Sequence, residues 1–273
     1  MRFHNPSASV FVPDERPAKD ALRKVTHLGI GAHPDDLEFM AMHGILEHFR
    51  DPTHHFFGGV VVCDGATGTD ASTREKRRKE QEKASLIGQY AAAVMLDYPS
   101  AVARQTSPEI ATDLAAILAH ARPLVVYTHN PADKHPTHAA VCRHVIGALR
   151  GLPPDHRPRK VYGCEMWRGL DWLPDVDKVR LDVSDFPDVT AKLVRVFESQ
   201  VAGGKRYDLA VPDRWQANAT FDDPQAPDCH QHMILAMDLT PLLEGPASDV
   251  PDLADFVGQV IDRFKAAVLS NRP

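Results

Sequence analysis

Residues 25–36 read VTHLGIGAHPDD, an apolar run that ends in glycine and is followed at once by a histidine and two acidic residues. Short apolar runs between polar residues are typical of buried strands. Three more such runs follow: FFGGVVVC at 56–63, AAAVML at 91–96 and LVVY at 124–127. The sequence therefore predicts four strands, the first of which carries polar side chains at its carboxyl end.

Helical segments separate these strands. Apolar residues at helical spacing, or a highly charged stretch of helical character, predict helices over 37–49, 73–87, 108–121 and 136–149. Parallel neighbouring strands need crossover connections of this kind, so the alternation predicts an α/β fold with a mostly parallel sheet and helices on both faces. Ligands of such sheets bind beyond the carboxyl ends of the strands.

The remainder of the chain is less regular. Proline-rich residues 1–20 predict an extended arm ahead of the first core element. Beyond the core the pattern predicts strands over 161–167 and 179–183 and helices over 189–201 and 256–269. We interpret residues 1–273 as a single domain, divided into the arm (1–20), a core (24–167) and a C-terminal region for substrate and oligomer contacts (168–273).

Composition excludes several classes of protein. Of 273 residues, 43% are apolar and 25% are charged, which is ordinary globular usage. Nucleic acid is not the expected partner, because 31 basic against 37 acidic residues give a net charge of −6. The sequence has no apolar run of membrane-spanning length, no apolar leader segment and four dispersed cysteines. These features predict a cytoplasmic protein without a membrane partner.

Two polar clusters follow the first and fourth predicted strands, AHPDD at 32–36 and HNPADKHPTH at 129–138. Within each cluster two potential metal ligands lie three residues apart: His33 with Asp36, and His135 with His138. Residues at this spacing share one face at a helix start, so each pair can converge on one point. Imidazole and carboxylate groups are common zinc ligands, and a catalytic zinc keeps three protein ligands and one open position.

The pattern therefore predicts a metal site with one side chain left for proton transfer. Of the adjacent carboxylates Asp35 and Asp36, one can bind the metal while the other acts as general base on a water. The alternative is structural, because an Asp-Asp pair at a helix start is often only an N-cap.

GAHPDD at 31–36 and HPTH at 135–138 resemble the two motifs of the PIG-L (LmbE-like) deacetylase family, whose second motif usually reads HPDH. Further similarity lies in DGATG at 64–68, in the R-x-x-E of Arg77 to Glu80 and in ESQ at 198–200. The resemblance implies a Rossmann-like fold. It also implies a zinc-dependent hydrolase that removes acetyl groups from N-acetylglucosamine-containing compounds.

The resemblance also implies roles for individual residues. One zinc ion per chain would be held by His33, Asp36 and His138. Asp35 would be the general base that takes a proton from the attacking water. His135 would stabilise the oxyanion or protonate the leaving amine.

Further residues are expected to contact the substrate or to support the metal ligands. The resemblance implies Arg77 as a contact to the sugar or its phosphate and Asp133 as a partner of a ligand histidine. Trp215, in what reads as a polar loop, is a candidate platform for sugar stacking. Thr137 stands where family members usually carry aspartate, so we expect it to affect substrate choice or the surroundings of the neighbouring ligand more than zinc binding. We interpret CHQH at 229–232 as a loop rather than a second metal site, because no further thiolate lies nearby in sequence.

Two other functions stay open on the sequence alone. The same chemistry could act on another acyl-amine, such as a thiol conjugate. The chain could also be a non-catalytic Rossmann-like binding module, although the G-x-G-x-x-G pattern of nucleotide binding is absent after the first strand. The expected partner is a small-molecule amino sugar, and the family resemblance implies a homo-oligomer.

Overall fold

The computed structural model of the chain describes residues 1–65, 71–244 and 252–270. Within these ranges eight strands form one sheet. They are β1 (Ser9–Phe11), β2 (His27–Gly31), β3 (Phe57–Cys63), β4 (Ala92–Tyr98), β5 (Val125–His129), β6 (Lys160–Cys164), β7 (Lys178–Asp182) and β8 (Met233–Asp238). Their order across the sheet is β1-β4-β3-β2-β5-β6-β8-β7.

Helices connect and cover the strands. They are α1 (Ala18–Arg23), α2 (Asp36–Met40), α3 (Met42–Arg50), α4 (Ala71–Ile87), α5 (Ser100–Ala103), α6 (Pro108–Ala121), α7 (Pro136–Arg150), α8 (Pro187–Arg195), α9 (Glu198–Ala202), α10 (Tyr207–Thr220) and α11 (Leu253–Ser270). No helix in the described ranges combines the length and the apolar character that crossing a membrane requires.

The five central strands, β4-β3-β2-β5-β6, are parallel, and the outer strands β1 and β8 pair antiparallel with β4 and β6. The predicted mostly parallel α/β fold is therefore confirmed. The chain runs outward from β2 through β3 to β4 and then returns to place β5 on the other side of β2. This reversal opens a crevice between the carboxyl ends of β2 and β5. The two polar clusters follow these two strands.

The core lies on both faces of the sheet. Alternation along β3 sends Val60 and Val62 to the face covered by α1, α6 and α7, and Val61 to the face covered by α2, α3 and α8. Because both faces are covered by helices, the central strands read as continuous apolar runs rather than as alternating ones.

Two predicted helices are each broken in two. The helix predicted over 37–49 is α2 followed by α3, and the break lies at Ala41, with φ −112° and ψ 18°. The helix predicted over 189–201 is α8 followed by α9, and Phe197 leaves helical geometry between them. Apolar spacing continues through both breaks, so periodicity could not reveal the change of axis.

Other elements were missed. The predicted extended arm contains β1, which pairs with β4 at the edge of the sheet. The prediction also lacked α10 and β8. Helix α10 carries Pro212 in its interior, which argues against a helix on sequence grounds. Strand β8 is an apolar run like the other strands, and that signal was available in the sequence.

Glycine at position 44 lets α3 pack closely against the sheet. A Cβ atom at Gly44 would lie 2.6 Å from Cε2 of Tyr127 and 3.1 Å from the Phe57 ring. We expect Gly44→Ala to lower the free energy of unfolding by about 1 kcal/mol or more, since overpacking costs about 1–3 kcal/mol and helix propensity returns up to about 1 kcal/mol. Denaturant unfolding measures the change.

The matched control is Gly147, an exposed glycine in α7 where an added Cβ atom would meet no atom within 4 Å. Gly147→Ala should raise the free energy of unfolding by about 0.4–1 kcal/mol. Equal effects of the two substitutions would contradict the close packing of α3.

Candidate active site

The loop after β2 is closed by one of its own side chains. Oδ2 of Asp36 accepts hydrogen bonds from the backbone N–H groups of Ala32, at 2.9 Å, and His33, at 2.7 Å. The carboxylate therefore folds back under the end of β2 and is almost completely buried. This turn sends the His33 side chain into the crevice.

Asp35 occupies a strained position in the same loop. Its φ is +99°, in the left-handed region, and its side chain is buried. Burial raises the pKa of Asp35 well above its usual range, and the nearby carboxylates of Asp36 and Glu38 raise it further. Strained backbone held by its surroundings is typical of functional sites.

The second loop is shaped by Asp133. Its Oδ1 accepts a hydrogen bond from the backbone N–H of His135, at 2.8 Å, just before α7 begins at Pro136. His138 lies in the first turn of α7 and is buried. Helix α7 thereby directs the His138 ring back toward the loop after β2.

Three predicted ligands converge. Nε2 of His138 lies 3.3 Å from Nδ1 of His33 and 3.5 Å from Oδ1 of Asp36. Nδ1 of His33 lies 3.6 Å from Oδ2 of Asp36. Ligand atoms of a tetrahedral zinc ion, with bonds of about 2.0–2.1 Å, lie roughly 3.3–3.4 Å apart. The measured separations of 3.3 to 3.6 Å are close to this value, with His138 facing Oδ1 and His33 facing Oδ2 of the Asp36 carboxylate.

The protonation states of His138 and Asp36 also suit metal binding. Burial lowers the pKa of His138 to about 4, so its imidazole is neutral at neutral pH, as a ligand must be. Its Nδ1 faces Oδ1 of Asp133 at 3.7 Å, which favours the tautomer that leaves Nε2 free to bind a metal. Burial would raise the pKa of Asp36, but the imidazoles of His138 and His129 hold it well below its usual range.

His129 is a part of this site that was not assigned a role from the sequence. Its buried ring stacks on His138, with centroids 3.9 Å apart, and its Nε2 lies 3.1 Å from Oδ2 of Asp36. A second possible donor set is therefore Asp36, His129 and His138. His129 does not line the cleft. Its Nε2 lies within hydrogen-bond distance of both the Asp36 carboxylate and the Ala32 N–H, and it can donate to the carboxylate only in the tautomer that carries a proton on Nε2. We interpret His129 as a support of Asp36 in that tautomer.

The site opens into a cleft of about 710 Å³, a size suited to a small molecule. Its walls are formed by His33, Asp35, Asp36, Asp64, Gly65, Arg77, Pro99, Ser100, Ala101, Arg104, His135, Thr137, His138, Met166, Trp167, Ser199, Gln200, Gly203, Lys205 and Tyr207. The cleft thus contains the residues predicted for metal binding and proton transfer.

His135 lies above the three converging side chains. Its ring centroid is 5.1 Å from that of His33 and 4.4 Å from that of His138. Burial lowers the pKa of His135, and the neighbouring His33 lowers it further. His33, His135 and His138 form another possible donor set, so His135 is close enough to act on the same point from the cleft side.

Arg77 lines the cleft but is held by protein partners. Its guanidinium donates to the carbonyl of Gly65 and, at 3.0 Å, to Oε1 of Gln200. One turn further along α4, Glu80 accepts the Ser199 backbone N–H at 2.7 Å. The R-x-x-E pattern therefore fixes α9 as one wall of the cleft, whereas a contact between Arg77 and substrate stays a prediction.

The prediction that Trp215 lies in a polar loop is wrong. This residue lies in α10 rather than in a polar loop, is 2% exposed and packs in the core. It does not line the cleft, because α10 buries it against the sheet. The indole that does line the cleft is Trp167. Thr137, the departure from the family motif, is also in the cleft wall, and its Oγ1 has no hydrogen-bond partner among the described residues.

Of two other sequence features, CHQH at 229–232 takes no part in the metal-binding groups, and DGATG at 64–68 is described only in part. Cys229 is an exposed free cysteine, and no metal-binding group in the described part of the chain includes any residue of 229–232. The family-like DGATG stretch is described only at Asp64 and Gly65, since residues 66–70 lie outside the described residues.

The sequence model of the PIG-L family, described as GlcNAc-PI de-N-acetylase, matches residues 28–149. Residues 28–149 are therefore similar to the PIG-L family. This segment contains both polar loops and therefore every side chain that converges in the cleft floor. No curated protein matches the sequence.

Several solved structures share the fold of this chain. The conserved protein TT1542 from Thermus thermophilus has 22% identity and a TM-score of 0.64, covering 82% of this chain and 98% of that one. GalB, a 4-carboxy-2-hydroxymuconate hydratase from Pseudomonas putida, has 16% identity and a TM-score of 0.61, covering 81% and 99%. The N,N'-diacetylchitobiose deacetylase from Pyrococcus horikoshii has 19% identity and a TM-score of 0.58, covering 77% and 82%.

These neighbours include a hydratase and a deacetylase. At such identities the likeness concerns the fold, and one fold can host different reactions. The reaction must therefore be argued from the side chains in the cleft.

A metal-binding test follows from the converging side chains. We expect the protein to bind one zinc ion per chain. Asp36→Ala and His138→Ala should each weaken binding by more than the roughly 10–100-fold that loss of an outer partner causes, because each removes a ligand. Plasma emission and calorimetric titration measure content and affinity. His54→Ala, whose side chain is 78% exposed, is the control and should bind zinc normally. Unchanged zinc affinity in both ligand variants would exclude this site.

Proposed function

We propose that the protein is a metal-dependent hydrolase that removes an acetyl group from an N-acetylated amino sugar or glycoside. The observation that carries the proposal is the convergence of His33, Asp36 and His138, with ligand atoms 3.3 to 3.6 Å apart, at the floor of an open cleft. The family described as GlcNAc-PI de-N-acetylase, whose model matches this segment, supports an acetamide as the bond that is cleaved.

The donor set suits zinc, with one carboxylate and two imidazoles. When bound, such an ion polarises the acetyl carbonyl and lowers the pKa of a water beside it. The ligands are His33, Asp36 and His138, and the buried Asp133 orients the last of them. We propose one zinc ion per chain as the resident metal.

Asp35 is placed to accept a proton. Its carboxyl group lines the cleft, and its raised pKa brings it closer to the range in which a general base works efficiently near neutral pH. We propose that it takes the proton from the attacking water and then returns it toward the leaving nitrogen. The left-handed backbone at this position sets the direction of the side chain.

His135 is placed to stabilise the developing negative charge. Its ring lies beside those of His33 and His138 and faces the cleft. We propose that it donates a hydrogen bond to the tetrahedral oxyanion or protonates the leaving amine. The amine product and acetate then leave through the open mouth of the cleft.

The alternative reactions can be distinguished from deacetylation by the products that they release. The hydratase among the structural neighbours adds water without breaking an amide, and an amidase acting on a thiol conjugate would release a different acid. The binding-module alternative is disfavoured by two buried carboxylates at the end of β2, where a pyrophosphate would need N–H donors.

The general base can be tested by Asp35→Asn. We expect acetate release from N-acetylglucosamine glycosides to fall by about 10²–10⁴-fold, because proton transfer is removed while size is kept. Zinc content should stay unchanged, since Asp35 is not among the three ligands. Asp155→Asn, whose side chain is 79% exposed, serves as the control and should retain full activity. Full turnover in the Asp35 variant would refute this role.

His135→Gln separates two roles for that residue. If His135 stabilises the oxyanion, kcat should fall by about 10²–10³-fold at unchanged zinc affinity. Zinc titration and steady-state kinetics on the same preparation make the comparison. Loss of zinc in this variant would instead assign His135 to the metal.

A further inference from the structure

The peptide group between Pro34 and Asp35 is held at both of its ends by glutamine side chains. Oε1 of Gln81 accepts the backbone N–H of Asp35 at 3.4 Å. Nε2 of Gln200 donates to the backbone carbonyl of Pro34 at 3.3 Å. The N–H and the carbonyl belong to one planar unit, so contacts at both ends fix the orientation of that plane.

Gln81 reaches this peptide from a fully buried position in α4. Its Nε2 donates to Oε1 of Glu38 at 2.8 Å, and the hydroxyl of Tyr90 donates to the same oxygen at 2.6 Å. Because the amide nitrogen of Gln81 faces Glu38, its amide oxygen faces Asp35. Burial of an amide is costly unless it is hydrogen-bonded, and here both of its ends are.

Gln200 is oriented from its opposite end in the same way. Nη2 of Arg77 donates to Oε1 of Gln200 at 3.0 Å, which turns the amide nitrogen toward Pro34. Next to Gln200, Glu80 accepts the backbone N–H and the hydroxyl of Ser199. Helix α4 therefore supplies one of the two glutamines directly and fixes the other through α9.

The held peptide precedes a strained backbone position. Asp35 has a φ of +99°, and strain of this kind persists only where the surrounding structure over-determines the backbone. On the other side of Asp35, the carboxylate of Asp36 is fixed by the N–H groups of Ala32 and His33. The Cα atom of Asp35 therefore lies between two fixed groups, which leaves its side chain little choice of direction.

We infer that Gln81 and Gln200 are positioning residues for the proposed general base. Both act through Asp35, because they keep its backbone in the left-handed region. A misplacement of about 1 Å at a reacting centre can lower turnover by up to about 10²-fold. The effect on turnover rests on the proposed function, whereas the hold on the peptide can be measured without substrate.

Gln81→Met and Gln200→Met test the inference, because methionine keeps the length of glutamine and removes its hydrogen-bonding groups. We expect kcat for acetate release to fall by about three- to tenfold in each variant, the equivalent of one lost neutral hydrogen bond. KM and zinc affinity should stay unchanged. Gln216→Met changes an exposed residue of α10 outside the cleft and should keep the wild-type kcat. Steady-state kinetics and calorimetric zinc titration make the comparison.

Hydrogen exchange of the Asp35 amide, measured by NMR on the zinc-loaded protein, separates joint positioning from a local contact. Gln200 binds the carbonyl of Pro34 rather than the N–H of Asp35, so Gln200→Met affects this amide only if the two glutamines hold one peptide. We expect exchange at Asp35 to become about threefold faster or more in this variant. The amides of Ala32 and His33, which Asp36 holds, should keep their wild-type rates.

Wild-type exchange at Asp35 in Gln200→Met would overturn the inference, whatever happens to kcat. Faster exchange at unchanged kcat would also overturn it, since the peptide would then be held for stability alone. A parallel fall of kcat and zinc affinity would assign the glutamines to the metal loop instead.

Two further results are kept distinct from these. If the wild-type protein releases no acetate, the proposed function fails, and exchange at Asp35 alone decides whether the two glutamines hold the peptide. If Gln81→Met does not fold, Gln200→Met supplies both readouts, because Gln200 is only half-buried.

Discussion

The carboxylate of Asp36 is the group on which the rest of the site depends. It closes the loop after β2 by accepting the N–H groups of Ala32 and His33, and it contacts the rings of His129 and His138. A buried charge is costly unless it is paired and hydrogen-bonded, and here both conditions are met. The same contacts that stabilise the charge also bring the two loops together.

A second buried carboxylate, Asp133, organises the other loop. It faces His138, accepts the N–H of His135 and reaches Trp167 beyond β6. The order of strands makes this possible, since β5 lies between β2 and β6. The site therefore depends on two carboxylates, each of which fixes a loop at the carboxyl end of a parallel strand.

Local sequence signals predicted the parallel sheet and the metal-ligand candidates because both depend on neighbouring residues. Spacing within 32–36 and 129–138 nominated His33, Asp36, His135 and His138, and the family resemblance selected three of these four as ligands. The cleft walls could not be predicted in this way. Trp167 and Lys205 meet through tertiary packing, and α9, which precedes Lys205, is attached to α4 through contacts more than a hundred residues apart in sequence. The interior position of Trp215 likewise depends on how α10 packs.

Self-association of the chain and its cytoplasmic location remain predictions from the sequence.

The left-handed backbone at Asp35 links stability to chemistry. Glycine adopts such a conformation without strain, and asparagine tolerates it better than most residues. A selection for thermal stability alone would therefore favour replacing the proposed general base. If Asp35 has that role, thermostable variants of the protein need stabilising changes elsewhere, because relaxing this one backbone position would trade catalysis for rigidity.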